Sequence, residues 1–237
     1  MKRYWTVLFF FVFLFVAAGI AGKTAGESTK RVMAVPRKTY AVCVVLDAGH
    51  GGEDGGALAS DGTTEKDLNL MIANDVSVWF RLFGVPFLQT RTADVSVCDD
   101  GLDTIRARKR SDIMNRYSLV NAEENRILLS IHQNMFSQSR YSGTQVFYSG
   151  HIEEARLLAA KVREHVVGLL QPDNTREIKP SGDSIFLLYK AKRPSVLVEC
   201  GFLSNLRELE KLKTESYQKS MAYAIAKGML DYLNHEV

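Results

Sequence analysis

The stretch that most restricts the fold is AVCVVLDAGHGGEDGG, Ala41 to Gly56. Val42–Leu46 is an apolar run with no breaker, the composition of a strand buried on both faces, as in parallel sheets. It leads directly into five glycines interspersed with His50, Glu53 and Asp54, with Asp47 just ahead. Glycine allows tight turns and close backbone approach, so a buried strand that opens into such a loop sets polar chemistry at the carboxyl end of a sheet strand. Neither G-x-G-x-x-G nor G-x-x-x-x-G-K-[ST] fits the stretch, which excludes a nucleotide loop of those types. A polar turn carrying an incidental histidine is the plain alternative.

The following segments alternate. Thr64-Glu65-Lys66-Asp67 resembles a capping box, after which apolar residues recur at helical spacing from Leu68 to Phe83 and stop at Gly84. Val85–Thr90 reads as a strand and Ile105–Asn121 as a helix. The cluster Arg106, Arg108, Lys109 and Arg110 reads as solvated helix surface, with contact to substrate carboxylates as the alternative. RILLSI (Arg126–Ile131) is a strand followed directly by His132. Gly143–Tyr148 reads as a strand, Glu153–Leu170 as an amphipathic helix and Ser184–Leu188 as a short strand. SVLVE (Ser195–Glu199) is a strand ending in a carboxylate, and Leu206–Leu233 reads as one short and one long helix. Strands alternating with helices predict an α/β fold: a single three-layer domain with an open, mostly parallel twisted sheet and helices on both faces.

The amino terminus differs from the rest. Lys2 and Arg3 precede an uncharged apolar stretch, Tyr4–Gly22, that reads as a signal peptide or membrane anchor. Either reading puts the remaining chain outside the cytoplasm, exported or anchored by this segment, because the positive end stays inside. Residues 1–22 are thus the targeting segment, 23–41 a basic linker and 42–237 the catalytic domain. Of the net charge of +3, Lys2 and Arg3 supply +2 and the linker +4, so residues 42–237 carry −3. The basicity therefore suits anionic lipid or wall polymer near the anchor, while the folded domain lacks the basic excess of a nucleic-acid binder. Cys43, Cys98 and Cys200 include no C-x-x-C pair and read as free thiols.

Three strands deliver His50, His132 and Glu199 to their carboxyl ends, which in a parallel sheet share one edge. Two histidines and a carboxylate are a donor set for catalytic zinc, with a fourth position left open. His50, His132 and either Glu65 or an acid of the glycine loop are the candidate ligands, and Glu199 is the candidate base. Asp47 is spaced to orient a ligand imidazole or to cap the turn. There is no H-E-x-x-H and no G-x-S-x-G, which argues against a zincin and a serine hydrolase.

Four blocks, LDAGHGGEDGG, EKDLNL, SIHQN and VLVECGFLSN, occur in the order found in the zinc-dependent N-acetylmuramoyl-L-alanine amidases. The chain resembles that family from Val42 to Leu233. The resemblance implies one zinc ion per chain held by His50, Glu65 and His132, selecting Glu65 over Glu53 and Asp54, with Glu199 catalytic. It implies peptidoglycan as substrate, cut at the amide between the lactyl group of muramic acid and L-alanine of the stem peptide. Arg116 and Asn121 fall where the family often carries Arg and Asn, with helix packing and capping as their structural role. Asn134 matches an asparagine placed to touch substrate or cap a turn, and Gln133 replaces the usual small residue. No wall-binding repeat is present, and Gln133–Ser142 is too short for the blocking helix of regulated members. Within the family the chain is most similar to the sporulation-specific spore-cortex amidases, which prepare muramic-δ-lactam. A general cell-wall amidase and a non-catalytic peptidoglycan-binding module are the competing readings, and an accessory protein of unspecified identity is allowed for.

Overall fold

A computed structural model describes residues 40–235. The apolar stretch Tyr4–Gly22 and the linker up to residue 39 lie outside them. Among the described residues no helix is long and apolar enough to cross a membrane.

The run read as a buried strand forms β1 (Cys43–Ala48), an inner strand of the sheet with Val44 to Ala48 buried. The other strands are β2 (Phe87–Gln89), β3 (Arg126–Asn134), β4 (Gln145–Tyr148), β5 (Lys179–Pro180) and β6 (Ser195–Phe202), in the spatial order β2-β1-β3-β6-β4-β5. β2, β1, β3 and β6 run parallel. β4 is antiparallel to β6, and β5 is parallel to β4. The helices are α1 (Glu65–Phe83), α2 (Ile105–Asn121), α3 (Glu153–Leu170), α4 (Phe186–Tyr189), α5 (Leu206–Leu212) and α6 (Glu215–His235).

The two faces of the sheet bury different sets of residues, because side chains alternate along a strand. Val44, Leu46, Ile127, Leu129, Ile131, Val196, Val198 and Cys200 pack under α1, α3, α5 and α6. Val45 and Leu128 face Val120 of α2 and Leu187 of α4. A Cβ on Gly228 of α6 would lie 2.5 Å from the Val162 Cα of α3, so glycine there lets two helix backbones cross closely.

Three local expectations change. Ser184–Leu188 is not a strand. Leu187 and Leu188 are both buried, and the segment forms the single turn α4; two adjacent buried side chains suit a helical turn as well as an inner strand. Thr64 caps α1 without a side-chain bond to the backbone and instead donates to Asp67 Oδ2 (2.5 Å). The first N–H groups of α1 are satisfied from the glycine loop, with Glu65 N donating to Ala57 O (2.9 Å) and Lys66 N to Gly55 O (3.1 Å). Finally, β3 and β6 continue past His132 and Glu199, which face each other across the ladder just before an irregularity between His132 and Asn134.

Candidate metal centre and active site

β1 ends at Ala48, and the chain turns through His50, which adopts a left-handed conformation (φ 62°), followed by Gly51 and Gly52, also at positive φ. Such a conformation is uncommon for a residue with a Cβ. It is held here by surrounding contacts: Gly51 and Asp54 exchange backbone hydrogen bonds of 2.9 and 3.1 Å, and Gly49 N donates to Ile131 O of β3 (3.1 Å). Two buried arginines secure the loop from below. Arg91 donates to the carbonyls of Ala48 (2.9 Å), Gly49 (3.0 Å) and Lys66 (2.7 Å). Arg116 of α2 donates to the carbonyls of Ala48 (3.0 Å) and His50 (2.9 Å) and pairs with Asp47 and Asp112.

The loop, the start of α1 and β3 bring His50, Glu65 and His132 together, with one donor atom from each lying within 4.8 Å of the others. The two imidazole rings stand 5.0 Å apart and nearly perpendicular. Glu65 Oε1 lies 2.8 Å from His132 Nδ1, and Oε2 lies 3.3 Å from His50 Nε2. Glu65 is buried and further held by the N–H of Ala57 (2.9 Å), the N–H of Gln133 (3.2 Å) and Asn69 Nδ2 (3.4 Å). Burial pushes the Glu65 carboxyl up, but its hydrogen bonds with His132 and His50 outweigh burial and hold it well below the usual carboxylate range. Burial lowers His50, and its hydrogen bonds with Asp54 and Glu65 override that, pushing it up to about 9. The donors fit a divalent cation: two imidazoles and one carboxylate, with no thiolate, are a set that suits zinc.

Glu199 stands beside His132 in register, on the face opposite the buried Cys200. It is half-buried, and its Oε2 is shielded from solvent with no hydrogen-bond partner among the described residues. Burial pushes its pKa up to about 7, with His132 opposing and Glu65 reinforcing.

The other sequence candidates take varied places. Asp47 contacts neither imidazole through a hydrogen bond among the described residues. It accepts from Ser130 Oγ (2.6 Å) and Thr90 Oγ1 (2.8 Å) and pairs with Arg116, so it is a buried anchor beneath the loop. The imidazole is oriented by Asp54, whose Oδ2 lies 2.8 Å from His50 Nδ1. Lys109 Nζ lies 2.8 Å from Asp54, and Arg108 grips both Glu53 oxygens at 2.6 and 2.8 Å. Half of the basic cluster on α2 thus braces the glycine loop, while Arg106 and Arg110 are exposed. Asn134 is half-buried at the end of β3, and Asn121 accepts from Lys192 N (2.9 Å) near the end of α2. Arg91 had no signature in the sequence, and Asn69, which donates to Gly49 O (3.1 Å), lies within the EKDLNL block without a role read from it, because a lone polar residue does not reveal its partner.

A Cβ on Gly49 would collide with the His132 ring. Gly49→Ala should therefore lower metal affinity at least about tenfold, the low end of what disturbing a ligand's supports costs, with the circular dichroism spectrum retained. Wild-type affinity in a chelator-competition titration would show that the ring has room to spare.

Comparison with known proteins places the chain in a family. Residues 44–231 match the family described as N-acetylmuramoyl-L-alanine amidase. The germination-specific N-acetylmuramoyl-L-alanine amidase of Bacillus subtilis is 33% identical over 193 residues, 81% of this chain and 80% of that protein. The structure of the CwlD amidase from Clostridioides difficile, in complex with the GerS lipoprotein, aligns with a TM-score of 0.78 at 37% identity, covering 82% of this chain and 99% of that one. The amidase AmiC2 of Nostoc punctiforme aligns with a TM-score of 0.64 at 29% identity, covering 83% and 99%. A family match across nearly all of the described residues, on a fold that gathers His50, Glu65, His132 and Glu199 at one sheet edge, shows that the chain belongs to the N-acetylmuramoyl-L-alanine amidase family.

Proposed function

We propose that this protein is a zinc-dependent hydrolase that cleaves the amide between N-acetylmuramic acid and L-alanine in peptidoglycan. The observation that carries the reading is the convergence of His50, Glu65 and His132, with Glu199 in register beside His132 and its Oε2 without a hydrogen-bond partner among the described residues. His50, Glu65 and His132 would hold the zinc. When bound, zinc supplies Lewis-acid polarisation of the amide carbonyl and acidifies water. Glu199 takes the proton of the attacking water as the new C–O bond forms, then passes it to the L-alanine nitrogen as the C–N bond breaks. The products are a lactyl carboxylate and a free amine. Asp54 keeps the His50 ring turned toward Glu65, and Arg91 and Arg116 keep the loop backbone fixed.

Resemblance to the germination-specific enzyme and to CwlD favours a role in the spore cortex, leading to muramic-δ-lactam. A site of action on peptidoglycan places the domain outside the cytoplasm, exported or anchored through Tyr4–Gly22. The GerS complex of CwlD makes an accessory protein a reasonable requirement here as well.

Digestion of purified cortex peptidoglycan by the zinc-loaded protein tests this reading. New L-alanine amino termini are expected. A new carboxyl within the peptide would make the protein a peptidase instead, and binding without any new end group would make it a wall-binding module.

A further inference from the structure

Behind the candidate metal donors, on the face of the sheet covered by α1, lies a pair of buried amide side chains. Successive side chains of β3 point to opposite faces. His132 lines the cleft, whereas Gln133, the next residue, turns toward α1 and is 3% exposed. Asn69, one turn along α1 from Glu65, is fully buried.

The chemistry of their neighbours sets how both amides point. Asn69 Nδ2 faces two acceptors, the Gly49 carbonyl (3.1 Å) and Glu65 Oε1 (3.4 Å). Both already accept other N–H groups, Gly49 O that of Arg91 (3.0 Å) and Glu65 Oε1 that of Gln133 (3.2 Å). An amide oxygen in the place of Nδ2 would meet only lone pairs, so the NH₂ group belongs there and Oδ1 turns to Gln133. Gln133 then presents its own NH₂ group, and its Nε2 donates to Asn69 Oδ1 (3.2 Å). The Gln133 Oε1 is left buried without a close hydrogen bond among the described residues, and the further polar neighbour of this side chain is the Cys200 thiol, a weak donor. A buried acceptor left in that state is costly. Packing alone therefore does not account for glutamine here, because an apolar side chain of the same length would fill the space without that cost.

We infer that Gln133 is a positioning residue for the metal centre: its amide fixes Asn69, which holds both the Glu65 carboxylate and the Gly49 carbonyl next to His50. The inference rests on the reading of His50, Glu65 and His132 as zinc donors. Gln133 reaches Glu65 by two routes, directly through its backbone N–H and indirectly through its side chain. Only the second depends on the residue type, so only the second is removed by substitution.

Zinc affinity of the full chain, measured by chelator competition, tests this. Gln133→Met keeps the length of the side chain and removes the donor. Affinity should fall at least about tenfold, the low end of what losing an outer support of a metal ligand costs, with the near-ultraviolet circular dichroism of the metal-free protein retained. Asn69→Ala should weaken binding as well. Adding Gln133→Met to it should cost no more than about twofold further, because residues that act through one network are not additive. Gln133→Leu, which also lacks the donor, is measured alongside, so that misfolding of one variant does not decide the outcome. Full affinity in the folded Met or Leu variant, or losses that add to that of Asn69→Ala, would make Gln133 a packing residue and overturn the inference alone. Failure of the unsubstituted chain to bind zinc would overturn the metal-centre reading and the inference with it.

Discussion

His132→Ala should lose both the metal and the activity. The expected zinc content falls from about one per chain to a small fraction. Amide hydrolysis falls by about a thousandfold or more, since a metal centre supplies several kcal/mol of transition-state stabilisation. His132 sits in the middle of the site: its Nδ1 faces Glu65, its ring packs edge-on to His50, and its strand neighbour is Glu199. Removing it leaves two donors for a cation that takes three protein ligands in catalytic sites. His50→Ala should behave in the same way. Metal analysis after gel filtration, together with thermal unfolding with and without added zinc, reads the outcome. Zinc should raise the melting temperature of the unsubstituted protein, because a ligand that binds only the folded state stabilises it, and should not do so in either variant. Stoichiometric zinc in His132→Ala would remove that residue from the ligand set.

The second large effect is expected at Glu199. Glu199→Gln keeps the shape of the side chain and cannot carry the proton, so turnover should fall by about 10²–10⁴-fold, the usual contribution of general acid–base catalysis. Zinc content should stay near one per chain. Burial raises the Glu199 pKa to about 7 in the metal-free protein. A cation held by His50, Glu65 and His132 favours the ionised carboxylate and moves the value down. The acid limb of kcat/KM for the zinc enzyme should therefore lie below pH 7, with activity lost as Glu199 protonates, and that limb should vanish in Glu199→Gln. Near-normal turnover would make Glu199 a packing residue at the sheet edge and redirect the search for the base to Glu53 or Asp54. Loss of zinc together with activity would make it a ligand.

Much of this was readable because local patterns and long-range placement agree. The buried run before Asp47, the apolar run before His132 and the run before Glu199 each have the composition of an inner parallel strand. Parallel strands in one sheet bring their carboxyl ends to one edge. The capping pattern at Thr64–Asp67 put Glu65 at the first turn of a helix, where α1 begins, and the family resemblance chose it over Glu53 and Asp54. The segments that were misread are those with weak periodicity. Lys179–Pro180 is too short to show a strand pattern, and Ser184–Leu188 has apolar residues at consecutive positions, which suits a helical turn as well as a strand.

The sequence by itself determined the fold class, the strands that carry the site and the residue types able to hold a metal, since these depend on burial patterns and donor chemistry that each segment contains. Only the tertiary structure decided which acid serves which partner. Asp47 and Asp54 both lie within four residues of His50, and spacing favours neither. The left-handed turn at His50 folds Asp54 back onto the imidazole, while Arg116, arriving from α2, binds Asp47 beneath the loop. The same holds for Arg140, Arg176, Arg207 and Lys211, which come from three separate segments and line one groove. Their proximity follows from how α3, β4 and α5 pack around β6, and no local sequence pattern encodes it.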